Sequence, residues 1–330
     1  MTAVLVTGGA GYIGSVTSLR LKESGYEVYC LDNLSSGHRD AVPPGVRLVH
    51  ADLADGETLH RTLADARIDA VIHFAGAIEP SLSMVDPVRF YRENVARSAQ
   101  LAEALVRHGR IPIVYSSTCA VYGQPARVPV DESTPTVPDS VYGETKLLVE
   151  RMLGRCWDAY GLPSISLRYF NAAGALPEAG LGADHRHKVH LLTQVMLAAL
   201  GKVPRVVIHG VDYPTPDGTC IRDYIHVDDL AGAHVLALGS LLECPRSDAL
   251  NLGVGQGHSV REVIDAAQDV IGAPLPCEIG PRRPGDPARI VADAGRARRE
   301  LGWSPRWLDI HDVVESAWAW HRAHPDGYRF

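Results

Sequence analysis

The chain has 330 residues, 46% hydrophobic and 22% charged, and its 39 acidic against 32 basic residues give a formal net charge of −7. A chain of this size buries about three quarters of its unfolded surface and needs no disulfide or metal staple. The acidic balance lacks the electrostatic footprint of a nucleic-acid binder.

No apolar run approaches the roughly 18 residues of a membrane span. The first run, Val4–Val6, is too short for a secretory leader. Six cysteines, at 30, 119, 156, 220, 244 and 277, form no C-x-x-C pair, so reduced thiols in a cytoplasmic protein are expected.

In chain order, Ala3–Thr7 reads as a strand, Tyr12–Glu23 as a helix, Glu27–Leu31 and Arg47–His50 as strands, Glu57–Ala64 as a helix and Ala70–His73 as a strand. Asn94–Arg107 places Val95, Leu101, Ala102, Leu105 and Val106 on one helical face, with Gly109 as its stop. Ile113–Tyr115 is a strand, Tyr142–Tyr160 a helix and Ser164–Leu167 a strand. Strands alternating with helices at this spacing predict an α/β, doubly wound parallel sheet.

After about Asn171 the rhythm breaks and loops rich in Gly, Pro and His lengthen. Helices are expected near Leu191–Leu200, Val227–Leu238 and Asp309–His321, and strands at Arg205–Ile208 and Ala249–Leu252. Ser259-x-x-Glu262 is a capping box opening a helix to about Ile271. The division expected is residues 1–170 as a dinucleotide-binding (Rossmann) domain and 171–330 as a smaller α+β substrate lobe, with some chain returning to the first sheet.

Thr7-Gly8-Gly9-Ala10-Gly11-Tyr12-Ile13-Gly14 follows a strand and opens a helix. Glycines let the turn close and the backbone approach a pyrophosphate, which the helix N-terminus then faces. Asp32 ends the second strand at the spacing where a carboxylate accepts both ribose hydroxyls. It repels a 2′-phosphate, and Asn33 and Leu34 add no positive charge, which favours NAD over NADP. Asp52-Leu53, after the third strand, could border the adenine. The alternative is a plain tight turn with a helix cap.

Tyr142 and Lys146 lie four apart on one predicted helical face. A tyrosine is a poor base at its reference value of about 10, and a neighbouring ammonium favours the phenolate. Such a pair beside a nicotinamide is a sensible general base for a carbinol losing hydride. Thr118, placed just past the Ile113–Tyr115 strand, could bridge the substrate hydroxyl and Tyr142.

These residues carry a resemblance. GGAGYIGS (8–15), LDNLSSG (31–37), HFAG (73–76), Asn94, SSTCAVYG (116–123), SVYGETK (140–146), LRYFNAAGA (167–175), 212–234, NLGVGQGHSV (251–260) and PRRPGD (281–286) resemble the extended short-chain dehydrogenase/reductases, specifically the UDP-glucose (UDP-galactose) 4-epimerase family. The resemblance implies tightly bound NAD, held at Gly8, Gly11, Tyr12, Ile13, Gly14, Asp32, Asn33, Asp52, Leu53, Phe74, Ala75, Gly76, Asn94, Tyr142, Lys146 and Tyr169. It implies catalysis by Tyr142, Thr118 and Lys146. A UDP-sugar would be held by Thr118, Tyr142, Asn171, His190, Leu191, Arg222, Arg283 and Asp286. Arg222, Arg283 and Asn171 fall to its diphosphate and Asp286 to its ribose. The reaction implied is oxidation at C4, turnover of the 4-keto sugar and hydride return to the other face. Homodimers through Asn94–Arg107 and Tyr142–Tyr160 are implied as well.

The chain departs from the family pattern in places. Thr118 replaces the more usual serine, and Pro80-Ser81-Leu82-Ser83 stands where Val-Gly-Glu-Ser is common. Ile290 replaces a bulky aromatic found in some members. Related dehydratases carry acids after the catalytic Ser/Thr, whereas Cys119-Ala120 has none, so C4-only chemistry is preferred. UDP-N-acetylglucosamine, UDP-glucuronate or a UDP-pentose is the alternative substrate, and a non-catalytic NAD-binding sensor is the rival class. His185, His187 and His190 are read as a substrate-lobe loop, and no metal is expected. Arg186 and Lys188 are either partners for a C6 carboxylate or, preferably, exposed charges. Trp318 and Trp320, two apart on the last helix, cannot both face the core.

Overall fold

In the computed structural model, which describes residues 1–185, 190–283 and 285–328, the first strand is buried on both sides. β1 (Ala3–Thr7) sends Val4 and Val6 into one apolar layer and Ala3 and Leu5 into the other. A sheet covered on both faces demands this, so its strands read as continuous apolar runs.

The first half continues with α1 (Tyr12–Glu23), β2 (Glu27–Asp32), β3 (Arg47–His50), α2 (Gly56–Asp65) and β4 (Ala70–His73). Then come the short α3 (Pro80–Ser83) and α4 (Pro87–Phe90), α5 (Arg97–Arg107), β5 (Ile113–Thr118), α6 (Val141–Tyr160) and β6 (Ser164–Tyr169). The second half holds β7 (Asn171–Ala173), α7 (Leu191–Ala199), β8 (Val206–His209), β9 (Ile221–Arg222), β10 (Tyr224–His226), α8 (Val227–Glu243) and β11 (Ser247–Leu252). It ends with β12 (His258–Ser259), α9 (Val260–Ile271), β13 (Cys277–Gly280), β14 (Arg289–Ile290), α10 (Gly295–Leu301) and α11 (Ile310–Ala323).

Seven strands form the main sheet in the order β11-β6-β5-β4-β1-β2-β3, every neighbouring pair parallel. The order changes direction at β1, which opens a crevice above the carboxyl ends of β1 and β4. Val4, Val6, Ile72 and Leu167 pack with Leu21 of α1 and Leu230 and Leu238 of α8 on one face. Leu5, Val71 and Ile113 pack with Leu59, Leu101, Leu105, Val149 and Leu153 on the other. Each such fully buried side chain stabilises the fold by about 1.5–3 kcal/mol. A separate core joins Val195, Met196, Ile208, Val263, Ile264, Val313 and Val314. The expected capping box is present: Ser259 accepts from the Glu262 amide while the Glu262 carboxylate accepts from the Ser259 amide.

One expectation is refined and one corrected. Asn94–Arg107 is helical throughout with its expected apolar face buried, but its start lies in a π-helical turn, Tyr91–Ala96, and α5 begins at Arg97. Inside that turn Asn94 accepts the Ala77 amide and donates to the Ala77 carbonyl and to Thr145 Oγ1. A tertiary demand of this kind overrides helical periodicity. Thr118 is the last residue of β5, not a residue beyond it. Ser116, Ser117 and Thr118 pair with Leu167, Arg168 and Tyr169, a backbone ladder that polar side chains conceal.

Candidate active site

A cavity of about 690 Å³ opens over the crevice. Gly8, Gly11, Tyr12, Ile13, Gly14, Asp32, Asn33, Asp52, Leu53, Phe74, Ala75, Gly76 and Tyr169 all line it. The glycines serve different ends. Gly8 has φ +72°, and a Cβ there would lie 2.7 Å from the Ala75 amide nitrogen. A Cβ at Gly14 would collide with the Gly8 carbonyl oxygen. At Gly11 a Cβ would meet only that oxygen, at 3.3 Å, so what it would fill is the floor of the cavity. The first-turn amides of α1 have no helical carbonyl ahead of them. Asp32 accepts the amides of Ala10 at 3.0 Å and Leu34 at 2.8 Å, leaving lone pairs for a diol. Asn33 donates to Asp52 at 2.7 Å. Floor, amides and carboxylate fit an unphosphorylated dinucleotide such as NAD.

Asn94 and Lys146 stand behind the wall. Asn94 ties the loop after β4 to α6, since Thr145 Oγ1 in turn donates to the Tyr142 carbonyl at 2.8 Å. Lys146 is 2% exposed. Its Nζ donates to the Ser116 carbonyl at 2.9 Å and lies 5.0 Å from the Tyr115 ring centre and 6.0 Å from that of Tyr142. Burial pulls its ammonium down to about 8, against the upward pull of Glu150.

Thr118 and Tyr142 share the cavity wall. Ser140 caps α6 by accepting the Gly143 amide, and Ser83 Oγ accepts the Tyr142 amide at 3.0 Å. Burial pushes the Tyr142 phenol well above its ordinary value, Tyr169 adds to that, and a hydrogen bond with Thr118 opposes it. The ammonium that the spacing brings towards Tyr142 lies 6.0 Å from its ring centre, and in the protein alone burial still holds the phenol up.

On the substrate side, Asn171, His190 and Leu191 line the cavity. Arg222, Arg283 and Asp286 do not. Arg222 is 8% exposed and forms an ion pair with Asp286, so the residues implied for diphosphate and ribose hold each other. Ile290 is buried against Val121, Tyr122 and Phe170, and only Phe170 of these four reaches the cavity. His185 lies edge-on to Tyr12, with 5.6 Å between ring centres; Arg186, His187 and Lys188 lie outside the described residues. Among the described residues no group of three His, Cys, Asp or Glu could hold a metal. Trp320 is fully buried, whereas Trp318 is half-buried at the edge of the second-half core.

The acids of 212–234 are largely framework. Asp223 accepts the amides of Val254, Gly255 and Ala292, and Asp229 those of Arg306 and Trp307. Sequence reasoning missed Ser83, Ser116, Ser117, Glu150 and Arg168. Of these only Glu150 left a signal, lying four residues beyond Lys146 on the stripe begun by Tyr142.

Fold and cavity together define a dinucleotide-binding α/β protein with a tyrosine–threonine pair at the sheet edge. The chain belongs to the NAD dependent epimerase/dehydratase family, whose model matches residues 4–253. It is 48% identical over 326 residues to a UDP-glucose 4-epimerase of Halalkalibacterium halodurans, covering 99% of this chain and 97% of that one. The Brucella ovis UDP-glucose 4-epimerase, solved in complex with NAD, superposes with a TM-score of 0.93 at 41% identity, over 96% of this chain and 98% of that one. The Bifidobacterium longum enzyme, solved with NAD+ and UDP, gives 0.93 at 37% identity, over 99% and 100%.

Proposed function

We propose that the protein is an NAD-dependent UDP-glucose 4-epimerase, an isomerase that interconverts UDP-glucose and UDP-galactose through a transient 4-keto sugar. One observation carries the reading: a single cavity is lined both by the glycine turn with Asp32 and by Thr118 with Tyr142. Gly8, Gly11, Gly14, Asp32 and the walls at Leu53 and Phe74–Gly76 would hold NAD, which when bound supplies a hydride acceptor that becomes the donor within the same turnover. Tyr142 takes the proton of the C4 hydroxyl and later returns it. Thr118 bridges that hydroxyl to Tyr142. Lys146 holds positive charge behind the phenol, favouring the phenolate. Cys119 and Ala120 offer no carboxylate for chemistry elsewhere on the sugar.

Residues 1–170 form the dinucleotide half and 171–330 the nucleotide-sugar lobe, with β11 returned to the first sheet. Arg222, Arg283 and Asp286 take the diphosphate and ribose once the UDP-sugar separates the Arg222–Asp286 pair. A homodimer through α5 and α6 is supported by the exposed Val88 of α4, a helix that packs on α6. A cytoplasmic location is supported by the six free cysteines, and no helix among the described residues is long and apolar enough to cross a membrane.

The test is to incubate purified protein with UDP-galactose, no cofactor added, and to follow UDP-glucose by anion-exchange chromatography. Conversion to a stable mixture is expected. No conversion after NAD is supplied would move the assignment to UDP-N-acetylhexosamines, uronates or pentoses, and failure with all of them would leave an NAD sensor.

A further inference from the structure

Three successive turns of α6 face three consecutive residues of β5. Tyr142 shares the cavity wall with Thr118, Lys146 Nζ donates to the Ser116 carbonyl, and Ser117 Oγ donates to Glu150. The stripe Tyr142, Lys146, Glu150 has the i, i+4, i+8 spacing that keeps side chains on one helical face. Glu150 does not reach the cavity. Its side chain is 7% exposed and is gripped by Arg168 of β6, whose own side chain is 10% exposed. Arg168 Nη2 donates to Oε2 at 2.6 Å and Nε to Oε1 at 3.0 Å, a forked geometry that fixes direction as well as distance. Arg168 Nη1 also donates to the Tyr122 hydroxyl at 3.0 Å, and Tyr122 donates to Asn251 of β11 at 2.7 Å.

We propose that Glu150 and Arg168 are positioning residues of the proton-transfer site: they clamp the end of β5 to α6 and set the charge that Lys146 works against. The inference rests on the epimerase reading of Tyr142, Thr118 and Lys146. Three charges are buried here, two positive and one negative, so the ensemble keeps a net positive charge behind the phenol. The groups facing Lys146 are few. From α6 come Tyr142 and Glu150, from β5 the Tyr115 ring and the Ser116 carbonyl, and from β4 His73. Burial, with Lys146 second, pulls His73 down to about 3, so it stays neutral. Tyr115 is held protonated by burial. Glu150 is thus the one anion in the set, and Arg168 moderates it.

The two partners give opposite signs. In Glu150→Gln the anion is gone, Lys146 loses its proton at lower pH, and the alkaline limb of the kcat–pH profile moves down by about one unit. In Arg168→Gln the carboxylate is unmoderated and the limb moves up. Glu150→Asp keeps the charge and restores the parental limb. Structural damage alone would lower kcat at every pH and move neither limb. The experiment measures kcat and KM for UDP-galactose between pH 6 and 10, with NAD content of each purified variant taken from its absorbance. Opposite shifts at parental NAD content are expected. Unmoved limbs in folded, NAD-loaded Glu150→Gln and Arg168→Gln would overturn the proposal while the parental enzyme still turns over. A parental protein inactive at every pH would instead remove the epimerase reading. If the charge variants do not fold, Ser117→Ala removes one hydroxyl and no charge. It should lower kcat roughly threefold to tenfold at constant KM, and parental kcat there would overturn the clamp.

Discussion

Replacing Tyr142 by Phe isolates the proposed base from everything else it does. The ring stays in its buried place, and the helix start is untouched, because the Tyr142 amide reaches Ser83 through the backbone. Only the hydroxyl is lost, which costs about 0.5–1.5 kcal/mol of stability. Burial holds the phenol above its ordinary value of about 10, so in the protein alone fewer than about one molecule in a thousand is ionised at pH 7. On the proposed reading the phenolate would form only in the loaded site, where the positive charge of oxidised NAD would add to that of the Lys146 ammonium. Removing a positioned general base lowers rates by about 10²–10⁴, equivalent to about 2.7–5.4 kcal/mol of barrier. Turnover of UDP-galactose, assayed at saturating substrate on protein with parental NAD content, should fall by that factor with little change in KM. A variant with parental NAD content and kcat within tenfold of the parent would refute Tyr142 as the base.

Other outcomes follow from the same geometry. Thr118→Ser should retain parental kcat within a few fold, and Thr118→Ala should lose roughly tenfold to a hundredfold, since only the latter lacks a hydroxyl. Ser83→Ala removes the acceptor for the Tyr142 amide; it should cost about 1 kcal/mol in urea unfolding and lower kcat while NAD is retained. Gly14→Ala drives a methyl into the Gly8 carbonyl; destabilisation of about 1–3 kcal/mol and reduced NAD content are expected, read by thermal melting and absorbance. Burial holds His234 at about 4, the backbone hydrogen bond to Leu230 opposing, whereas unfolded it titrates near 6.5. Between those values the unfolded chain binds the extra proton, so stability falls as pH falls. At pH 5 the loss from this group is roughly 2 kcal/mol. His234→Phe should lose correspondingly less between pH 7 and 5 in urea titrations.

What the sequence determined by itself was local. Glycines at 8 and 14 fix a turn because the backbone around them has no room for a Cβ, Gly11 keeps the cavity floor open, and Asp32 follows from the length of one β-α-β unit. Tyr142 and Lys146 share a face through helical periodicity alone. The strands of the first half were legible because a sheet buried on both faces needs apolar runs. Tertiary structure decided the rest. The return of β11 to the first sheet, the π-helical turn at Asn94 and the extension of β5 to Thr118 depend on partners far along the chain. Ser83 supports Tyr142 across 59 residues, and Arg168 meets Glu150 only because β6 pairs with β5. The state of Tyr142 belongs to the same class. Spacing places the ammonium near it, but its free energy of ionisation depends on how much water the folded walls exclude, which no local pattern encodes.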